Sequence, residues 1–156
     1  TRLLDRQPHV EGSAAVWAAV ESNSSEGLLS AHAVTTIHYL IRKELGESRA
    51  KRMVSALLRV FAVAAVDSAV VEEALRLSMP DFEDAVTAAA ARMGGCDYVV
   101  TRDPKGFRRS PVRVLTPGAA APTSSPTTTW VSVPDCPGSW ESPVRTLTGS
   151  IPLTNT

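Results

Sequence analysis

The chain has 156 residues, enough for one compact domain and too few for two ordinary ones. Hydrophobic residues make up 44% and charged residues 21%, which fits a water-soluble protein with a real core and excludes a disordered polyelectrolyte. A formal net charge of zero excludes a global field that would draw in nucleic acid, so any such attraction has to come from local patches.

The two cysteines, Cys96 and Cys136, form no CxxC pair and no His/Cys cluster at zinc spacing, which fits a reducing cytoplasm. The longest apolar run, Val60 to Val66, falls far short of the roughly 18 residues of a membrane span. The opening Thr1-Arg2-Leu3-Leu4-Asp5 has neither an initiator Met nor a signal-peptide pattern, and reads as the middle of a protein.

In chain order, Val10, Ala14, Trp17 and Val20 give the segment from Pro8 to Ser22 helical spacing. Leu28 to Ala31 is a short strand candidate. A second helical stripe, Val34, Ile37, Ile41 and Leu45, is closed by Gly46. Ser48 is the expected cap of a third helix running to about Arg59. Phe61 to Val66 is the continuous apolar run of a strand buried on both faces.

Asp67 or Ser68 starts a helix through Leu77, and Pro80-Asp81 opens another through about Met93, stopped by Gly94-Gly95. On that second helix Phe82, Val86, Ala89 and Met93 are expected to face the core. Asp97 to Thr101 and Val112 to Leu115 are strands. Strands separated by helices predict an α/β fold, a three-layer α/β/α sandwich with a mainly parallel sheet.

Composition changes near Pro117. The patterned region, 1–117, is read as one domain, and 118–156 as a low-complexity tail. That tail carries Asp135, Glu141 and Arg145 as its charges and six of the eleven prolines. It is expected to be disordered, and its removal to leave thermal stability unchanged.

The chemistry concentrates in two stretches. Asp81 and Asp84 stand three apart at a helix start, so both project from one side of its first turn. Asp103 falls just past the end of a strand, where open α/β sheets place their ligands. Each acid also has a structural explanation: Asp81 as an N-cap, Asp84 as an acid favoured by the helix dipole, Asp103 as a turn residue before Pro104. Together they are more telling, because gathered carboxylates repel unless protonated or neutralised by a cation.

Three phrases carry a resemblance: Leu3-Leu4-Asp5-Arg6-Gln7-Pro8-His9, the run from Asp81 to Ala91, and Val99 to Phe107. With Val112 to Pro117 as a closing strand, the region from Arg2 to Pro117 resembles the PIN-domain family, which includes the ribonuclease toxins of bacterial toxin–antitoxin pairs. The resemblance implies a ribonuclease in which three or four acids hold one or two divalent ions, Mg2+ or Mn2+, against an RNA phosphodiester. It places Asp84, Asp103 and Asp81 in the metal cluster. RNA, an antitoxin protein and a second copy of the chain are the implied partners, with no membrane role.

The basic residues Arg102, Lys105, Arg108 and Arg109, with Arg113 beyond them, flank Asp103 and are candidates for holding RNA phosphates; an ordinary solvated loop is the alternative. Family members open with a strand ending in an acidic phrase ahead of the position of Asp5. The resemblance therefore implies a PIN-like domain whose first strand and first acid are missing, with impaired hydrolysis. His38 falls near a helix position where many members carry a glutamate; it is read as a core histidine or an auxiliary ligand. Two further readings stay open: a catalytically inactive PIN-like module that binds RNA or protein, and a truncated gene product.

Overall fold

The fold is a computed structural model that describes residues 7–120 and 127–131. The expected segment Leu3 to Arg6 lies outside the described residues, as do 121–126 and 132–156 of the tail. Five helices and five short strands follow one another among the described residues: α1 (Gln7–Glu21), β1 (Ser25–Leu29), α2 (Ala31–Leu45), α3 (Glu47–Val60), β2 (Ala62–Val63), α4 (Ser68–Arg76), α5 (Phe82–Met93), β3 (Tyr98–Val100), β4 (Arg113–Leu115) and β5 (Thr127–Val131).

Local chemistry sets most of the boundaries. Ser30 caps α2 by accepting from the Ala33 amide at 2.9 Å, and Asp67 caps α4 by accepting from Val70 at 3.0 Å. Gly46, at a positive φ of 84°, ends α2 and starts α3 in one residue. The cap expected at Ser48 is thus taken by Gly46, which offers no side-chain bond.

The strands form one sheet in the order β2-β1-β5-β3-β4, with every pairing parallel. On β1, Leu29 packs into a cluster with Trp17, Val20, Ile37, Ile41, Met53, Leu57 and Phe61. Its neighbour Leu28 packs against a second cluster of Val70, Ala74, Val99, Phe107 and the alanines of α5. Adjacent strand residues point to opposite faces, so α1, α2 and α3 cover one face of the sheet and α4 and α5 the other. This is the α/β/α sandwich expected from the element pattern.

Gly27 is required on the first face. A side-chain carbon there would overlap the Phe61 ring and come within 2.8 Å of Val20. The bare backbone admits the Trp17–Phe61 edge-to-face pair, with ring centroids 5.2 Å apart.

Three expectations are corrected. Phe61 to Val66 is not a strand buried on both faces. Only Ala62–Val63 is strand, it lies at the sheet edge, and both residues are exposed. On α5, Phe82 and Met93 are half exposed, and the core face is built from Ala85, Ala88, Ala89 and Ala91. Their small size lets α5 approach the sheet and α4 closely, and no room is left there for large side chains.

The third concerns only 127–131 within the stretch read as a tail. Thr127–Val131 is a strand in the centre of the sheet, paired with β1 on one side (Leu28 to Trp130) and β3 on the other (Val99 to Trp130). Composition averaged over the tail hides this stretch, whose threonines, Trp130 and Val131 are strand formers by shape. A slot between two parallel strands also offers a full set of backbone partners to whichever segment enters it.

Candidate metal and nuclease site

Because all strands are parallel, their carboxyl ends share one edge of the sheet. From β1 the chain proceeds outward to β2, and from β3 outward the other way to β4, so the order reverses at the position of β5. Crevices at such reversals are where open α/β sheets bind ligands. α5 ends at Met93 before β3 begins at the amino edge, so its first turn stands at the carboxyl edge.

That first turn holds two of the three expected acids. Asp81 is the N-cap: its Oδ1 accepts from the amides of Glu83 at 2.8 Å and Asp84 at 3.1 Å. Such a cap contributes about 1 kcal/mol. It also fixes the third helical position, from which Asp84 projects.

The third acid is positioned by β3. Thr101, fully buried, donates its amide to Leu115 at 3.0 Å, and its hydroxyl accepts from the Asp103 amide at 3.1 Å. Asp103 in turn accepts the Lys105 amide on Oδ1 at 3.1 Å, which closes the loop on itself. The turn role weighed for Asp103 is therefore present, and it engages one carboxylate oxygen.

The other oxygen lies toward the same side of Gly106 as Asp84. A Cβ built on Gly106 would overlap Asp84 Oδ2 and lie 3.7 Å from Asp103 Oδ2. The two carboxylates thus both reach the side of Gly106 where a Cβ would stand, and Asp84 occupies that space. Partial burial holds the Asp84 carboxyl above its usual range, and the charges of Asp81, Asp103 and Glu83 add to the effect. Two neighbouring carboxylates supply hard oxygen donors, the kind that divalent cations of the magnesium and calcium class take. Among the described residues, no group of three or more His, Cys, Asp or Glu side chains is gathered to hold a metal ion.

The basic residues divide. Lys105 and Arg108 are exposed on the loop after Asp103, and Arg102 is half-buried. Arg109 donates from Nη1 to the Ser78 carbonyl at 3.0 Å, tying this loop to the segment before α5. Arg113 lies over the Tyr98 ring, 5.9 Å from its centroid.

His38 is half-buried, with its Nε2 3.7 Å from Glu47 at the junction of α2 and α3. A different histidine reaches α5: His32 Nε2 lies 2.8 Å from Glu83 Oε1 and 3.0 Å from Thr36 Oγ1. Sequence reasoning passed over His32, Glu83 and Gly106. The available signal was their position, directly after β1, beside Asp84 and beside Asp103.

The family model described as the PIN domain matches residues 2–105. Comparison with curated proteins and with solved structures gives no match. No helix among the described residues is long and apolar enough to cross a membrane.

Proposed function

Since the chain belongs to the PIN-domain family, a nuclease-type fold, we propose that it acts as a divalent-metal-dependent endoribonuclease on single-stranded RNA. The observation that carries this reading is the convergence of Asp84 and Asp103 beside Gly106 at the point where the strand order reverses.

In this proposal Asp84 and Asp103 hold the ion. Asp81 keeps Asp84 in register through its cap bonds and adds negative charge at the rim. A bound Mg2+ or Mn2+ supplies a lower pKa for an attacking water and neutralises charge that builds on the phosphate oxygens. Lys105 and Arg108, with Arg102 and Arg109 behind them, draw the RNA backbone toward the acids. Because binding of this kind is set by phosphate charge, it weakens with salt.

The test is cleavage of a labelled single-stranded RNA in Mg2+ or Mn2+. The proposal expects Asp84→Asn to abolish cleavage with unchanged circular dichroism, and excess chelator to stop the native chain. Cleavage that survives either change defeats the metal mechanism. RNA binding without cleavage by the native chain supports the inactive binding module instead.

A further inference from the structure

Outside the acid pair, one concave feature stands at the same sheet edge. A cavity of about 250 Å³ opens between the start of α2, the segment after β2 and the first turns of α5. Its walls include Val66, Phe82 and Val86, and its rim Ser30, His32 and Glu83. The volume lies below the ~300–1,000 Å³ of sites for drug-sized ligands, which suits one flat ring system.

Phe82 is 51% exposed, an unusual position for a large aromatic one residue inside a helix. Its ring lines the cavity, and the neighbouring rim carboxylate, Glu83, is held by His32 at 2.8 Å. Glu83 also ties the cavity to the acids, since it directly precedes Asp84 in the first turn of α5.

We propose that this cavity is a nucleobase subsite of the RNA-binding surface, in which an unpaired base next to the reacting phosphate stacks on Phe82 and presents an exocyclic amino group to Glu83. The inference rests on the ribonuclease reading and adds a specificity to it. A strand whose phosphate sits at Asp84 and Asp103 has to place its neighbouring bases against the surface on either side. The cavity lies on the β1–β2 side of the strand reversal, and the acid loop on the β3 side. An aromatic face accepts any base, whereas a carboxylate rim accepts hydrogen bonds and offers none. Adenine, cytosine and guanine carry an exocyclic amino donor; uracil offers only its ring N3–H, flanked by two carbonyl oxygens that a carboxylate repels. The His32 contact engages Oε1 and orients the carboxylate, and in the proposal Oε2 takes the base.

The experiment uses the full chain with Phe82→Trp as a fluorescent reporter, read as the difference from the native chain. It is titrated with oligo(A), oligo(C) and oligo(U) pentamers in EDTA, so that cleavage plays no part. Saturable quenching by oligo(A) and oligo(C), with oligo(U) weaker, is the expected result. Phe82→Ala is expected to weaken binding of the same pentamers about five- to a hundredfold, as measured by anisotropy. Glu83→Gln, which can also donate, is expected to narrow the gap between oligo(C) and oligo(U).

Reporter fluorescence that no pentamer quenches in the Phe82→Trp variant overturns the subsite, as does Phe82→Ala binding equal to native. So does an oligo(U) preference that Glu83→Gln leaves unmoved. Quenching in a chain that never cleaves RNA keeps the subsite and removes the nuclease reading. Cleavage that proceeds with unchanged KM in Phe82→Ala does the reverse.

Discussion

The carboxylates of Asp84 and Asp103 come from different elements, a helix start and a strand end, yet both reach the side of Gly106 where a Cβ would stand. The glycine is there for space, not backbone conformation, since only Gly46 and Gly95 among the described glycines take a positive φ. Gly106→Ala is therefore compatible with the backbone but drives a methyl group into Asp84 Oδ2. Misplacing a reacting group by about 1 Å can cost on the order of a hundredfold in rate. We expect Gly106→Ala to lower RNA cleavage about ten- to a hundredfold while Tm moves by less than about 3 °C. Native-like cleavage by this variant would separate the Gly106–Asp84 contact from the chemistry.

Asp84 makes a second prediction through its proton. Burial first, and then Asp81, Asp103 and Glu83, raise its carboxyl above 3.8 in the folded chain. The folded state then binds this proton more tightly than the unfolded state. Its stabilising effect is full below 3.8 and is lost as pH rises through the raised value. At neutral pH the ionised Asp84 opposes folding in metal-free protein. Asp84→Asn should accordingly raise Tm at pH 7 in EDTA and flatten the dependence of Tm on pH above about 4. If the chain binds Mg2+ as proposed, Asp84→Asn should also abolish the gain in Tm that the ion gives the native chain. A lower Tm for Asp84→Asn in EDTA would contradict the repulsion argument.

Much of this site was legible from residue types and spacing. Asp81 after Pro80, the alanine run behind Asp84, and Asp103 after Val99-Val100-Thr101 each announce their local structure, and the structure bears out the cap at Asp81 and the loop at Asp103. What spacing does not carry is side-chain volume at a contact. Phe82, Val86, Ala89 and Met93 make a sound helical stripe, but α5 packs through its smallest residues and leaves Phe82 and Met93 half exposed. Long-range strand choice is illegible for a similar reason. Phe61 to Val66 reads as a strand buried on both faces, yet only Ala62–Val63 is strand and it lies at the edge, because the central place between β1 and β3 is taken by β5.

That entering segment is β5, and its loss should be costly. Thr127–Val131 pairs with β1 on one side and β3 on the other, so removing it exposes two rows of backbone donors and acceptors. Truncation after Ala120 is expected to lower Tm by about 10 °C or more. Thr129→Pro, which removes an amide from the sheet centre, is expected to cost about 3 kcal/mol. Thermal melts of both variants with unchanged Tm would restore the view of this stretch as a dispensable tail.

Cys96 offers a probe of the α5–β3 junction. Burial, helped by the Asp97 charge, pushes its thiol up to about 11. Since the thiolate is the reactive form, Cys96 should resist alkylation at about pH 7.5 in the native chain and react on unfolding. Peptide mass spectrometry after iodoacetamide treatment checks this; rapid native labelling of Cys96 would show that the junction opens.

The basic loop after Asp103 divides by geometry, and the division predicts different phenotypes for neighbouring residues. Lys105 and Arg108 are exposed, so replacing either with alanine should leave Tm nearly unchanged. If they contact phosphates, each replacement removes about 0.7 from the slope of log affinity against log salt for single-stranded RNA, whatever its sequence. Arg109 instead donates to the Ser78 carbonyl and holds the loop against the segment that leads into α5. A charge-assisted bond to a carbonyl at an exposed position contributes about 1 kcal/mol, so Arg109→Ala should lower Tm by about 3–6 °C. Its effect on RNA should appear as weaker binding that warming exaggerates, because the loop carrying Asp103 loosens, and Arg109→Lys should restore only part of it. Anisotropy titrations at several salt concentrations and temperatures distinguish the two classes, and an unchanged salt slope for both Lys105→Ala and Arg108→Ala would remove this loop from the RNA path.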